Sequence, residues 1–170
     1  LALAHPGAIL EFAGKRGGKP APSQANITDR LIALARAGNR VLRLKGGDPC
    51  VFGRGGEEAL TLASAGVPFR IIPGVTSGLA ALTVASIPAT LRGVSQALIL
   101  VTGHCGDEED TVDWAALAQT GQPIVLYMAL SSLDGIAASL VNAGLHPHER
   151  VPVIASASLP EERSLTTELH

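Results

Sequence analysis

Gly46, Gly47 and Asp48 lie in the run Arg43-Leu44-Lys45-Gly46-Gly47-Asp48-Pro49-Cys50-Val51-Phe52-Gly53-Arg54-Gly55-Gly56. Paired glycines let a backbone come close to a bound molecule, and the adjacent carboxylate can orient a hydroxyl or ammonium group. The run follows a β-rich segment, so a ligand there would sit at a strand's carboxyl end. A tight strand-to-helix turn is the alternative use of the same residues. A second loop, Ile72-Pro73-Gly74-Val75-Thr76-Ser77-Gly78-Leu79, puts two hydroxyls where a helix begins, to cap it or to touch a ligand. Gly14-Lys15-Arg16-Gly17-Gly18-Lys19 brings three cations together on a flexible segment. Such a segment suits anion recognition, and a lysine amine also transfers protons when its surroundings shift its pKa; solvated loop charge is the plainer reading. Met128, beside Tyr127, offers an apolar ligand wall or simple core packing.

Other chemistries are poorly supported. Gly18-Lys19 is followed by Pro20, and position 13 is Ala, so no phosphate-binding G-x-x-x-x-G-K-[S/T] loop is present; Gly46-Gly47 does not open a G-x-G-x-x-G fingerprint. No Ser-His-Asp or Gly-x-Ser-x-Gly arrangement points to hydrolysis. His104-Cys105 has no second pair of soft ligands, and Gly144-Leu145-His146-Pro147-His148 reads as an exposed turn, so no metal site is expected. The two cysteines are too few for a disulfide framework and fit a reducing compartment, with the cytoplasm as the expected location.

The elements that must position these residues alternate. β-rich runs at residues 8–13, 40–44, 69–72, 97–102, 123–128 and 151–155 read as buried strands. Ile27, Leu31, Leu34 and Ala35 repeat at helical spacing, with Ser23 to cap the start and Gly38 to end the turn. Helices are also expected over 57–65, 76–85, 113–118 and 131–143, the last closed by Gly144. The class is α/β, in two lobes spanning 1–92 and 93–170, with Pro88 and Arg92-Gly93 near the boundary. Charge divides at the same place: 11 Lys/Arg against 5 Asp/Glu before it, and 2 against 10 after it. A basic half can face nucleic acid, phosphate or a polycarboxylate. With 3% aromatic residues and no groove-reading motif, nucleic acid is not expected as a partner. The apolar runs are too short and too interrupted to span a bilayer, so no membrane is expected either.

Taken in order, Gly14-Lys15-Arg16-Gly17-Gly18, Leu44-Lys45-Gly46-Gly47-Asp48-Pro49 with Phe52-Gly53-Arg54-Gly55, Pro73-Gly74-Val75-Thr76-Ser77, Val101-Thr102-Gly103-His104 and Tyr127-Met128 resemble the tetrapyrrole methylases. The resemblance covers essentially the whole chain. It implies two α/β lobes with S-adenosylmethionine held in the cleft between them, no metal, and a homodimer. It places cofactor contacts on Gly46, Gly47, Asp48, Val51, Thr76, Ser77, Met128 and Ala157, and proton transfer on Lys15. Arg16 and Arg54 are candidates for substrate carboxylates, since guanidinium pairs with them bidentately. The implied reaction is C-methylation of uroporphyrinogen III at C2 and C7 to give precorrin-2, with a later corrinoid precursor as the alternative substrate. A polycarboxylate of this kind gives the basic half a concrete rationale. The family's opening strand, Gly-x-Gly-Pro-Gly loop and following acidic residue have no counterpart after Leu1, and its chains continue beyond the equivalent of His170. A fragment incomplete at both ends is therefore expected. Cys50 stands where the family commonly has a bulkier aromatic.

Overall fold

The structure is a computed structural model that describes residues 3–13, 23–103 and 112–170. Lys15 and Arg16 lie outside the described residues. Contacts divide the chain into two compact units, Leu1–Pro73 and Gly74–His170.

The first unit is built on two helices, α1 (Gln24–Arg36) and α2 (Gly55–Ser64). Ser23 starts α1 by accepting the Asn26 N–H at 3.1 Å, and Gly38 leaves it in the left-handed region at φ 82°. Arg36 reaches across to the Ala65 carbonyl at 3.1 Å, satisfying an acceptor just past the end of α2 and tying the helices together. The three expected strands at 8–13, 40–44 and 69–72 are corrected here: none of these segments forms a strand among the described residues. A β-former becomes a strand only where a neighbour takes its N–H and C=O groups, and in this unit no described segment does so. Their apolar side chains stay correspondingly open, with Ile9 88% and Leu42 80% exposed.

In the second unit the alternation is realised. Strand β1 (Ile99–Thr102) pairs in parallel with β2 (Ile124–Tyr127), from Ile99 opposite Ile124 to Thr102 opposite Tyr127. Parallel neighbours need a crossover, which here carries α4 (Trp114–Gln119), capped by Asp113 accepting the Ala116 N–H at 2.9 Å. Before β1 comes α3 (Ser77–Val84), and after β2 comes α5 (Leu133–Asn142). Val101, Trp114, Ala129, Ile136 and Leu140 form the buried core among these elements. The unit ends in an antiparallel pair, β3 (Arg150–Ala155) with β4 (Arg163–Glu168), in the register Arg150 opposite Glu168 through Ala155 opposite Arg163. Strand β4 is absent from the sequence reading because every residue in it is exposed, which erases the inside-outside alternation that reveals a strand. The fold is mixed α/β. No helix among the described residues is long and apolar enough to cross a membrane.

Candidate functional site

In the first unit, Gly46, Gly47, Asp48, Val51 and Arg54 share one loop that delivers the chain into α2. Gly47 sits at φ 71°, and the Asp48 carboxylate accepts the Cys50 N–H at 2.8 Å, closing a side-chain turn that fixes the carboxyl against the loop. The Pro49 carbonyl then accepts the Gly55 N–H at 2.8 Å, so the loop itself satisfies one of the open donors at the start of α2. Any Cβ at Gly55 would strike that same carbonyl. A Cβ added at Gly46 would meet nothing within 4 Å, so space beside the paired glycines is open.

Arg54 adopts the left-handed region at φ 58° and turns its guanidinium onto Glu57, with Nε 2.9 Å from one carboxylate oxygen and the terminal nitrogen 2.6 Å from the other. The hydrogen bond from Arg54 is the main reason the Glu57 carboxyl titrates below its ordinary range. Both side chains are exposed, and a solvent-exposed pair of this kind is weakly held, so the fork can be exchanged for another carboxylate.

Glu58 was missed by sequence reasoning and organises this region. It is only 5% exposed, and one of its oxygens receives Gln24 Nε2 at 2.8 Å, Lys45 Nζ at 3.1 Å and Arg43 Nε at 3.3 Å. Burial by itself would raise its pKa. The hydrogen bonds from Gln24 and Lys45 and the charges of Lys45 and Arg43 outweigh that, holding the carboxyl below its usual range. The available signal was periodicity: Gly55, Glu58, Ala59, Leu62 and Ala65 form the less exposed stripe of α2, and Glu58 is the one charge in it.

In the second unit, Thr76 and Ser77 open α3. Thr76 is buried, but its hydroxyl caps no backbone N–H of the helix. It lies 2.9 Å from the Tyr127 hydroxyl, which also accepts the Gly78 N–H at 3.0 Å. Tyr127, from the end of β2, therefore does the capping expected of Thr76. This bond places the start of α3 against the carboxyl end of the parallel pair, next to Met128, which is 56% exposed at φ 50°. Ser77 is exposed. Tyr127 thus ties Thr76 to β2, with Ser77 the chain neighbour of Thr76 and Met128 that of Tyr127. Ala157 does not join them by any described contact; it is half-buried in the turn after β3, between Ser156 and Ser158, both at positive φ.

Replacing Tyr127 with phenylalanine removes the acceptor for Gly78 and the partner of a buried threonine. The expected loss is about 1–2 kcal/mol of unfolding free energy, measured by urea denaturation. A change within experimental error would show that water or another group satisfies both.

The chain matches the tetrapyrrole (corrin/porphyrin) methylases over residues 3–170. A uroporphyrinogen-III C-methyltransferase from Sinorhizobium sp is 53% identical over 171 residues, covering 99% of this chain and 61% of its own length. A siroheme synthase from Zymomonas mobilis is 40% identical over 92% of this chain and 33% of its own. The crystal structure of uroporphyrin-III C-methyl transferase from Thermus thermophilus, complexed with S-adenosylhomocysteine, superposes with a TM-score of 0.75 at 39% identity, covering 86% of this chain and 64% of that one. A cobalt precorrin-4 methyltransferase structure gives 0.77 at 26% identity, over 90% and 63%. The chain therefore spans less than two thirds of each of these relatives.

Proposed function

This chain belongs to the tetrapyrrole methylase family, and from that premise we propose that it serves S-adenosylmethionine-dependent C-methylation of uroporphyrinogen III at C2 and C7, giving precorrin-2. The observation that carries the reading is the 53% identity to the Sinorhizobium uroporphyrinogen-III C-methyltransferase along 99% of this chain. The whole protein is read as two lobes, 1–92 and 93–170 in this chain, acting as a cytoplasmic homodimer.

Each unit offers groups whose chemistry suits the cofactor. Within the first unit, open space beside Gly46 admits a ligand against bare backbone and the Asp48 carboxylate is held by the loop; within the second, Ser77 offers an exposed hydroxyl and Met128 an exposed apolar surface. Gly46, Gly47, Asp48, Val51, Thr76, Ser77, Met128 and Ala157 would hold it. S-adenosylmethionine supplies an electrophilic methyl on a sulfonium; a pyrrole carbon takes the methyl, and the C–S electron pair stays on sulfur. The protein's part is alignment and exclusion of water, with no metal invoked. Arg54 releases Glu57 to pair with a substrate carboxylate, Arg16 binds another, and Lys15 moves the proton that the methylated ring loses.

Incubating the full-length protein with uroporphyrinogen III and methyl-labelled S-adenosylmethionine is expected to label precorrin-2; absence of incorporation would reject the proposal. Lys15→Met is expected to slow turnover by about a hundredfold while the dissociation constant for S-adenosylmethionine changes less than about twofold. An unchanged rate would give Lys15 a structural role. The likeness to the cobalt precorrin-4 methyltransferase favours one second reading, a later corrinoid precursor as substrate. Competition between tetrapyrrole substrates separates the two.

A further inference from the structure

The antiparallel register of β3 and β4 creates a site that chain order conceals. Arg150 lies opposite Glu168 at the open end of the pair, and just beyond it the turn residue His148 and the following His170 come side by side. The ladder itself stops at Arg150 and Glu168, and His148 lies in the turn before β3; the His170 N–H reaches the Pro147 carbonyl of that turn at 3.2 Å and holds the chain end against it. Their contacts bring His148, Glu168 and His170 together at the hairpin's open end. His148 Nδ1 is 2.6 Å from a Glu168 carboxylate oxygen, His170 Nδ1 is 3.5 Å from the same oxygen, and the two imidazole rings stand edge to face with centroids 5.0 Å apart. One ligand atom from each of the three lies within 4.8 Å of the others.

We propose that His148, Glu168 and His170 form a binding site for a zinc-class divalent cation that clips the two ends of the β3–β4 hairpin together, independently of methyl transfer. The donor set decides the class. Two imidazoles and one carboxylate suit zinc and its borderline neighbours, whereas calcium and magnesium require oxygen-rich shells. Arg150 lines the same shallow recess and offsets the single carboxylate charge, so attraction depends on nitrogen lone pairs and not on a negative field. The Pro147 carbonyl, 3.1 Å from the His170 Nδ1, keeps that ring beside the cluster. Tetrahedral zinc with bonds of about 2.0–2.2 Å spaces its ligand atoms roughly 3.3–3.6 Å apart. The three side chains are 61%, 49% and 59% exposed, so they can rotate to that spacing without disturbing packing, the His148–Glu168 hydrogen bond opening to admit the cation. His146 stands one step away, its ring centroid 5.4 Å from that of His148.

The test is calorimetric titration of the untagged full-length protein with zinc sulfate alone, repeated for His148→Gln, Glu168→Gln, His170→Gln and the control His5→Gln. One zinc per chain is expected, with each cluster variant binding at least about tenfold more weakly and the control unchanged. Excess magnesium is expected not to displace it. No heat of binding in the parent chain, cluster variants within about twofold of it, or equal competition by magnesium would each overturn the proposal. Circular dichroism of each variant keeps a loss of fold from passing as a loss of ligand.

Discussion

Glu58→Ala is expected to destabilise the first unit by about 3 kcal/mol, within the range for removing one partner of a buried ion pair. The deletion leaves Lys45, with its side chain only 13% exposed, and the partly covered Arg43 facing each other without the carboxylate they share. It also strips Gln24 of its acceptor, so α1, α2 and the entry to the Gly46-Gly47-Asp48 loop lose one common anchor. Urea denaturation gives the magnitude, and hydrogen exchange at the α2 amides localises it. A loss below about 1 kcal/mol would mean that the two cations reach solvent at little cost. Glu58→Gln is the sharper comparison, since it keeps an acceptor and removes the charge. Because the folded carboxyl titrates below its unfolded value of about 4.3, the ionised form contributes stability that is complete above that pH and is lost as pH falls through the folded value. The gap between parent and Gln variant should therefore be constant near neutrality and close in the acid range.

What the sequence revealed of this protein follows the range of the physics involved. Helix limits depend on neighbours within a turn, so Ser23 and Gly38 marked the ends of α1. Strands depend on partners far along the chain: 97–102, 123–128 and 151–155 found them, while 8–13, 40–44 and 69–72, with equally good β-formers, did not. The candidate site divides in the same way. The glycine loops were legible because backbone turns require particular residues, as was the pairing of Thr76 and Ser77 with a helix start. The roles of Glu58 and Tyr127 were not, since each rests on contacts between residues dozens of positions apart. His148 shows the limit most clearly: it lies in the exposed turn its sequence announces, but its contacts with Glu168 and His170, some twenty residues on, leave no trace in that stretch.

Gly78→Ala tests the other anchor. The new methyl would run into the Tyr127 hydroxyl, with the ring carbon bearing it at 2.6 Å and a Val125 methyl at 2.8 Å. Neither neighbour can easily retreat, because both belong to β2, which is laddered to β1. The start of α3 must move instead, breaking the bonds from Tyr127 to Gly78 and Thr76. Overpacking and the lost bonds together should cost about 2–4 kcal/mol, offset by no more than about 1 kcal/mol from alanine's better helix propensity. Thr76 and Ser77 move with the helix, so under the proposed function S-adenosylmethionine should bind roughly tenfold more weakly, the equivalent of about 1.4 kcal/mol. The decisive measurement is the double variant with Tyr127→Phe. Phenylalanine removes the oxygen that the methyl meets first, so the second substitution should cost less in the Gly78→Ala background than in the parent. A coupling of about 1 kcal/mol or more in that direction would locate the strain at the hydroxyl. Strict additivity would mean that α3 is held against β2 by its other contacts, and that Tyr127 does not set where Thr76 and Ser77 stand.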